Sequence, residues 1–351
     1  MDAAAGSVEN GQAPGEAARD DARLSAPLEP SLRDAAWFLH TLDLAAGQAR
    51  FTRTNRQALS GQTFLDPRWS RAGAAETALP LDRLADAPEP PRAPGMIWHS
   101  AFCCSTLIAT CLDRPGKALA LKEPMALVNL AQAPARVPAA HPRLVRGALR
   151  LLGRGFEEGE RVVIKPSNAA NSLIEAAAPA AGPMLFLHSN LRWFLLSVVR
   201  GGEQRRAWVR PLLTQRLASE DLRRIGLDPA LLTDLSAAAL LWRLQMAEFE
   251  AAAARYGPHR ARLLDCEAFL AAPERTLGEL DAFFELGLGD AHVLETVRGP
   301  AFFRHAKNPR AAFDLNRHRR ALALVEQGLG QDLGLIMDWS ARAMAALSGH
   351  A

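Results

Sequence analysis

The sequence predicts an α/β fold in three layers: a central, mostly parallel sheet of about five strands between helices, followed by a helical C-terminal part. Two observations carry this expectation. Short apolar runs alternate with longer amphipathic stretches from Gly95 onward, and neither an internal repeat nor a sustained heptad register interrupts the alternation. The chain has 351 residues, 49% hydrophobic and 23% charged, which is enough to enclose a core in one large domain or two small ones.

Taken in order, residues 1–30 are rich in Ala, Gly, Pro, Asp and Glu without apolar periodicity, so they read as a disordered tail. Acids come early and no apolar h-region follows, which excludes a secretory signal. Residues 31–94 read as an N-terminal extension and linker. A helix is expected over 31–42, then strand, turn and loop through FTRTNRQALSGQTFLDPRW, then an Ala- and Pro-rich linker or surface loop over 71–94. Residues 95–351 form the main domain, with strands expected at 96–100, 118–121, 161–164, 184–187 and 261–264. Long amphipathic helices are expected over 229–255 and 316–347. A third, over 273–285, opens with Pro273, where the missing N–H costs nothing.

Charge and cysteine usage narrow the function classes. Lys plus Arg is 41 against 38 Asp plus Glu, a formal charge of +3 spread along the chain, which argues against a nucleic-acid or other polyanion partner. Of the 4 cysteines, Cys103, Cys104 and Cys111 are clustered and two are adjacent, a spacing that suits neither a secreted disulfide framework nor a zinc site. Reduced thiols, a cytoplasmic location and no metal are the expectation. The longest apolar candidate, residues 183–199, is broken by His188, Asn190 and Arg192, so no membrane span is expected. The basic residues are nearly all Arg; the lysines are Lys117, Lys122, Lys165 and Lys307, which marks each as a candidate for a site needing a compact charge.

Five segments could carry chemistry. In MIWHSAFCCSTLIATCLD an apolar strand meets a small-residue turn and a helix beginning near Ser105. Backbone N–H groups of such a turn, with the Ser105 and Thr106 hydroxyls, can cradle an anion, although serine also caps ordinary helices. In ALALKEPMAL, Lys122 and Glu123 follow a strand at its carboxyl end, where open sheets place ligands. Glu123 can serve as a general base and Lys122 as an anion ligand, or the pair simply starts a helix. RVVIKPSNAANSLI places Lys165 at another strand end, facing the same crevice or merely preceding a cap at Ser167 or Asn168. MLFLHSNLRWFLLSVVR carries Arg192 and Ser197, and FFRHAKNPR packs Arg304, His305 and Lys307 into one loop suited to clamping an anion or to plain solvation.

The order AFCCST, KEP, IKPSN, SNLRWFLLS and DCEAFLAAPERTLGELDAFFELGL resembles the P-loop sulfotransferase superfamily over residues 95–320, the last segment being the most specific. The resemblance implies a P-loop three-layer fold. It implies transfer of a sulfuryl group from 3′-phosphoadenosine 5′-phosphosulfate to a hydroxyl or amine of a small-molecule or carbohydrate acceptor. By the same resemblance, Cys103, Cys104, Ser105 and Thr106 cradle the 5′-phosphosulfate, Ser197 and Arg192 hold the 3′-phosphate, and His305 and Lys307 form a later anion-binding loop. Glu123 stands where some members carry a carboxylate base. Lys122, Lys165 and Lys307 would supply cationic charge. The acceptor walls are expected from residues 32–69 and the helix around Trp242.

Three positions depart from the family pattern: Phe102 stands where Lys or Arg is usual, Cys104 where Gly is usual, and Ser189 where an arginine opens the 3′-phosphate motif. Three functions follow. The first is an active sulfotransferase with its cations relocated to neighbouring strands. The second is a nucleotide- or protein-binding module without transfer, and the third a divergent kinase.

Overall fold

Five apolar runs become five parallel strands. The computed structural model describes residues 29–133, 140–305, 308–312 and 314–349. The tail expected over 1–30 falls outside them except for its last two residues, and so does Lys307.

Near the N-terminus, β1 (Trp37–Asp43), β2 (Gln48–Arg53) and β3 (Glu76–Pro80) pair antiparallel in that order. The main sheet is built from β4 (Gly95–His99), β5 (Ala118–Lys122), β6 (Arg161–Lys165), β7 (Met184–His188) and β8 (Ala261–Asp265). Its order is β5-β6-β4-β7-β8, parallel throughout, and each expected strand is present within one residue at either end. From β4 the chain goes outward to β5 and returns through β6, then continues on the opposite side through β7 and β8. The connections therefore diverge beside β4 and open a crevice at the carboxyl ends of the strands.

Alternate side chains divide the core. Met96, Trp98, Leu119, Leu121, Ile164 and Phe186 pack on one face with the helices Met125–Ala131, His141–Leu152 and Asp234–Tyr256. Ile97, Ala120, Val163, Leu185 and Leu187 pack on the other with the helices Ser105–Cys111, Cys266–Ala271 and Pro273–Phe284. A third cluster joins Phe194, Leu195 and Leu240 to Leu322 and Leu333 of the C-terminal helices. The result is the three-layer α/β architecture, with a helical C-terminal part.

Two helical expectations need correction. The helix expected over 31–42 is only Pro30–Arg33, and its remainder is strand β1, whose buried Phe38, Leu39 and Leu42 contact the main core. The single helix expected over 316–347 is two, Leu315–Leu329 and Asp332–Gly349, broken where Gly330 takes φ 53°. The stretch expected as a linker contains β3 and a 3-10 turn, Leu81–Asp86.

Buried arginines fasten the antiparallel sheet to the rest. Arg154 donates to the carbonyls of Ser31 and Trp37 at 3.0 and 2.7 Å, and burial holds its pKa down to about 10. Arg56 donates to Glu160 at 2.5 Å, Asp113 at 3.1 Å and the Ala118 carbonyl at 2.7 Å. Asn129, in the Met125–Ala131 helix, accepts from the backbone of Leu42 at 3.0 Å.

Two outcomes follow. A Cβ on Gly147 would lie 2.3 Å from the Leu84 carbonyl oxygen, so Gly147→Ala must push the His141–Leu152 helix off the 3-10 turn. Urea unfolding should register a loss of about 1–3 kcal/mol. His40 is buried in β1 against Trp69 and accepts from Arg71; burial first, then the Arg71 charge, hold its pKa at about 4 against an ordinary 6.5. The folded state therefore binds fewer protons than the unfolded between those values. This contribution is full above pH 6.5 and falls as pH drops toward about 4, by about 3 kcal/mol in all. The pH dependence of the unfolding midpoint should flatten in His40→Leu.

Candidate active site

The connection from β4 into the Ser105–Cys111 helix holds its backbone where L-residues are disfavoured. Ala101, Phe102 and Cys104 have φ of 74°, 51° and 61°, a conformation costing roughly 1–2 kcal/mol at each non-glycine residue. Three contacts over-determine it. The buried His99 ring accepts the Ala101 N–H at Nδ1, 3.1 Å, and donates from Nε2 to the Pro166 carbonyl at 3.0 Å, which fixes a neutral imidazole. The Ser100 N–H bonds to the Leu187 carbonyl at 3.0 Å, and the Cys103 thiol reaches the same oxygen at 3.4 Å. The Phe102 ring packs against Phe194 and Trp208, each with centroids 5.6 Å apart.

The cysteines there divide in character. Burial pushes the Cys103 thiol up to about 12, which leaves it a small hydrophobe with one weak hydrogen bond. Cys104 lies below its ordinary value because it interacts with the Cys266 thiol, which is held above its own.

The second structure of the site is an ion pair. Lys165, with no exposed side-chain surface, closes β6 and meets Glu123 at 2.5 Å between Nζ and Oε1. Glu123 follows β5 with φ 57°, and its N–H bonds to the Lys165 carbonyl at 2.7 Å, so the two strand ends are joined twice. The other carboxylate oxygen, Oε2, lies 3.7 Å from Arg68, which also pairs with Asp66.

These parts share one cavity of about 630 Å³. Of the residues expected at a site, Cys103, Cys104, Ser105, Thr106, Glu123 and Ser197 line it, and Lys165 sits behind Glu123. Lys122 is turned elsewhere. It is the register partner of Lys165, and at the sheet edge it donates to the Ser60 carbonyl at 2.8 Å; burial is the main cause of its lowered pKa, with Asp113 opposing and Lys165 adding to it. Arg192 is largely exposed and pairs with Glu326 instead of the cavity. His305 lies in β9 (Arg304–His305), antiparallel to β10 (Asn308–Ala312); Arg304 lines the cavity, and Lys307 lies outside the described residues.

Among the expected acceptor walls, Phe64, Asp66 and Arg68 line the cavity, whereas no residue of the Asp234–Tyr256 helix does. Trp242 instead donates from its indole to the Ser189 carbonyl at 2.9 Å. His99, Arg205 and His318 line the cavity without having been expected there. The Thr106 hydroxyl and the Asn168 amide nitrogen, both buried at its wall, have no hydrogen-bond partner. Buried polar atoms are seldom left so, and a bound ligand is one way to satisfy them. Among the described residues, no group of three or more His, Cys, Asp or Glu could hold a metal ion, and no helix is long and apolar enough to cross a membrane.

The sequence matches no family model and no curated protein. Among solved structures, the chain is similar to a sulfotransferase domain from the curacin biosynthetic pathway. The TM-score is 0.42 and the identity 13%, over 74% of this chain and 99% of that one.

Removing one partner of a buried ion pair strands the other. Lys165→Met should lose about 3–5 kcal/mol at neutral pH, and the double variant with Glu123→Gln should recover most of it. Urea unfolding of the four proteins of this cycle is the check.

Proposed function

We propose that the protein is a sulfotransferase, moving a sulfuryl group from 3′-phosphoadenosine 5′-phosphosulfate to a hydroxyl or amine of a small-molecule or carbohydrate acceptor. The observation that carries this reading is that Glu123, backed by Lys165, lines the same cavity as the 101–106 turn. The motif order in the sequence supports it independently.

The residues present fit such a donor. The turn from Cys103 to Thr106 would cradle the 5′-phosphosulfate and Ser197 the 3′-phosphate, with His305 and Lys307 proposed from the sequence motif as a later anion-binding loop. When bound, the donor supplies the sulfuryl group to be transferred. Glu123 would take the acceptor proton. Lys165, fully buried behind Glu123, would hold that carboxylate in position.

A binding module without transfer is the second reading, and the uncharged Phe102 in the turn favours it. Incubation with sulfur-labelled donor and a panel of hydroxyl and amine acceptors separates the two. We expect a labelled product, with Glu123→Gln lowering kcat about 10²–10⁴-fold at little change in donor affinity. Tight binding of 3′-phosphoadenosine 5′-phosphate without product from any acceptor would favour the module, and magnesium-dependent consumption of ATP would favour a kinase.

A further inference from the structure

We propose that Arg205 is the anion-binding cation of the cavity, standing over Phe102 and gripping the phosphate cradled by the 101–106 turn. The identity of that phosphate, the 5′ group of an adenosine nucleotide, rests on the donor reading above; the anion site does not.

The argument begins with charge. Arg205 belongs to the helix Gly202–Thr214 and lines the cavity, with its guanidinium carbon 4.7 Å from the centroid of the Phe102 ring. Nη1 donates to the Ser197 carbonyl at 2.7 Å, which fixes the head group in place. Neighbouring arginines have carboxylates: Arg206 and Arg210 share Asp234, and Arg216 pairs with Glu248. Arg205 has none within ion-pair distance among the described residues. Burial lowers its pKa, and the charge of Arg200 adds to that effect. A desolvated cation without a counter-charge is expensive unless an anion joins it.

Two further donors, the Thr106 hydroxyl and the Asn168 amide, are buried in residues that line the same cavity, and neither has a protein partner among the described residues. A guanidinium without a carboxylate and two unpartnered donors in the wall of one cavity suit a multiply charged oxyanion. The side chain of Phe102 then has a function of its own. Its ring, wedged against Phe194 and Trp208, is a platform that orients a planar guanidinium by cation–π contact. The turn contributes shape, and a helix on the other side of the crevice contributes the charge.

Calorimetric titration tests this with wild type, Arg205→Met and Arg205→Lys, against 3′-phosphoadenosine 5′-phosphate, adenosine 3′-phosphate and inorganic pyrophosphate. Arg205→Met should weaken the bisphosphate roughly 10- to 100-fold and leave adenosine 3′-phosphate unchanged. Arg205→Lys keeps the charge and should bind within about tenfold of wild type, and it serves as the informative variant where the Met variant does not fold. Unchanged bisphosphate affinity in Arg205→Met, or an equal loss for adenosine 3′-phosphate, would overturn the assignment. Should wild type bind pyrophosphate in an Arg205-dependent way but no nucleotide, the anion site stands and the donor reading falls. Binding of neither removes both.

Discussion

An ammonium group with no exposed surface has to meet an anion within the fold, and Lys165 is such a group, at the carboxyl end of a central strand. Much of the crevice follows from how that requirement is met. Glu123 reaches Lys165 only because the backbone turns left-handed directly after β5, where the same residue's N–H is taken by the Lys165 carbonyl. Pro124 then caps the Met125–Ala131 helix, which carries Asn129 to the backbone of β1. One charge pair thus sets the start of a helix, and that helix positions the antiparallel sheet.

β4, β5 and β7 were legible because both of their faces are covered, so each is a nearly unbroken apolar run, whereas β8 at the sheet edge leaves Arg262 and Leu263 exposed. β1 was not. Its sequence WFLHTLD alternates imperfectly, with a register irregularity between Leu39 and Thr41, and the apolar spacing from Leu32 onward imitates a helical stripe. The break at Gly330 was hidden for a related reason: periodicity on both sides of it is helical, and a single glycine does not say whether a helix bends, continues or stops.

At the site, strand ends were the readable part. Glu123, Lys165 and the 103–106 turn lie at carboxyl ends of strands, the edge at which open parallel sheets place ligands. Lys122 stands at a strand end too, but two register-paired lysines repel, and the one on the edge strand has somewhere else to go. Arg192 and Ser197 share a helix yet not a face: Ser197 is buried toward the cavity while Arg192 looks outward to Glu326. Arg205 could not be found this way, because what distinguishes it, the lack of a carboxylate partner among the described residues, is visible only once its neighbours are placed.

The segment carrying Phe64, Asp66 and Arg68 joins β2 to β3, whose antiparallel register from Gln48↔Pro80 to Thr52↔Glu76 closes beneath it. At the wholly buried Leu65 it is tacked down by two backbone bonds, to the Lys122 carbonyl at 2.8 Å and from the Met125 N–H at 3.0 Å. Backbone bonds do not care which side chains flank them. One wall of the cavity is therefore evolvable separately from the floor: side chains on either side of Leu65 other than the Asp66–Arg68 pair can be exchanged, or the span lengthened, without disturbing the hairpin below, while Arg68 stays within reach of Glu123. Lineages built on this scaffold would be expected to diverge first in this connection and last at the strand ends.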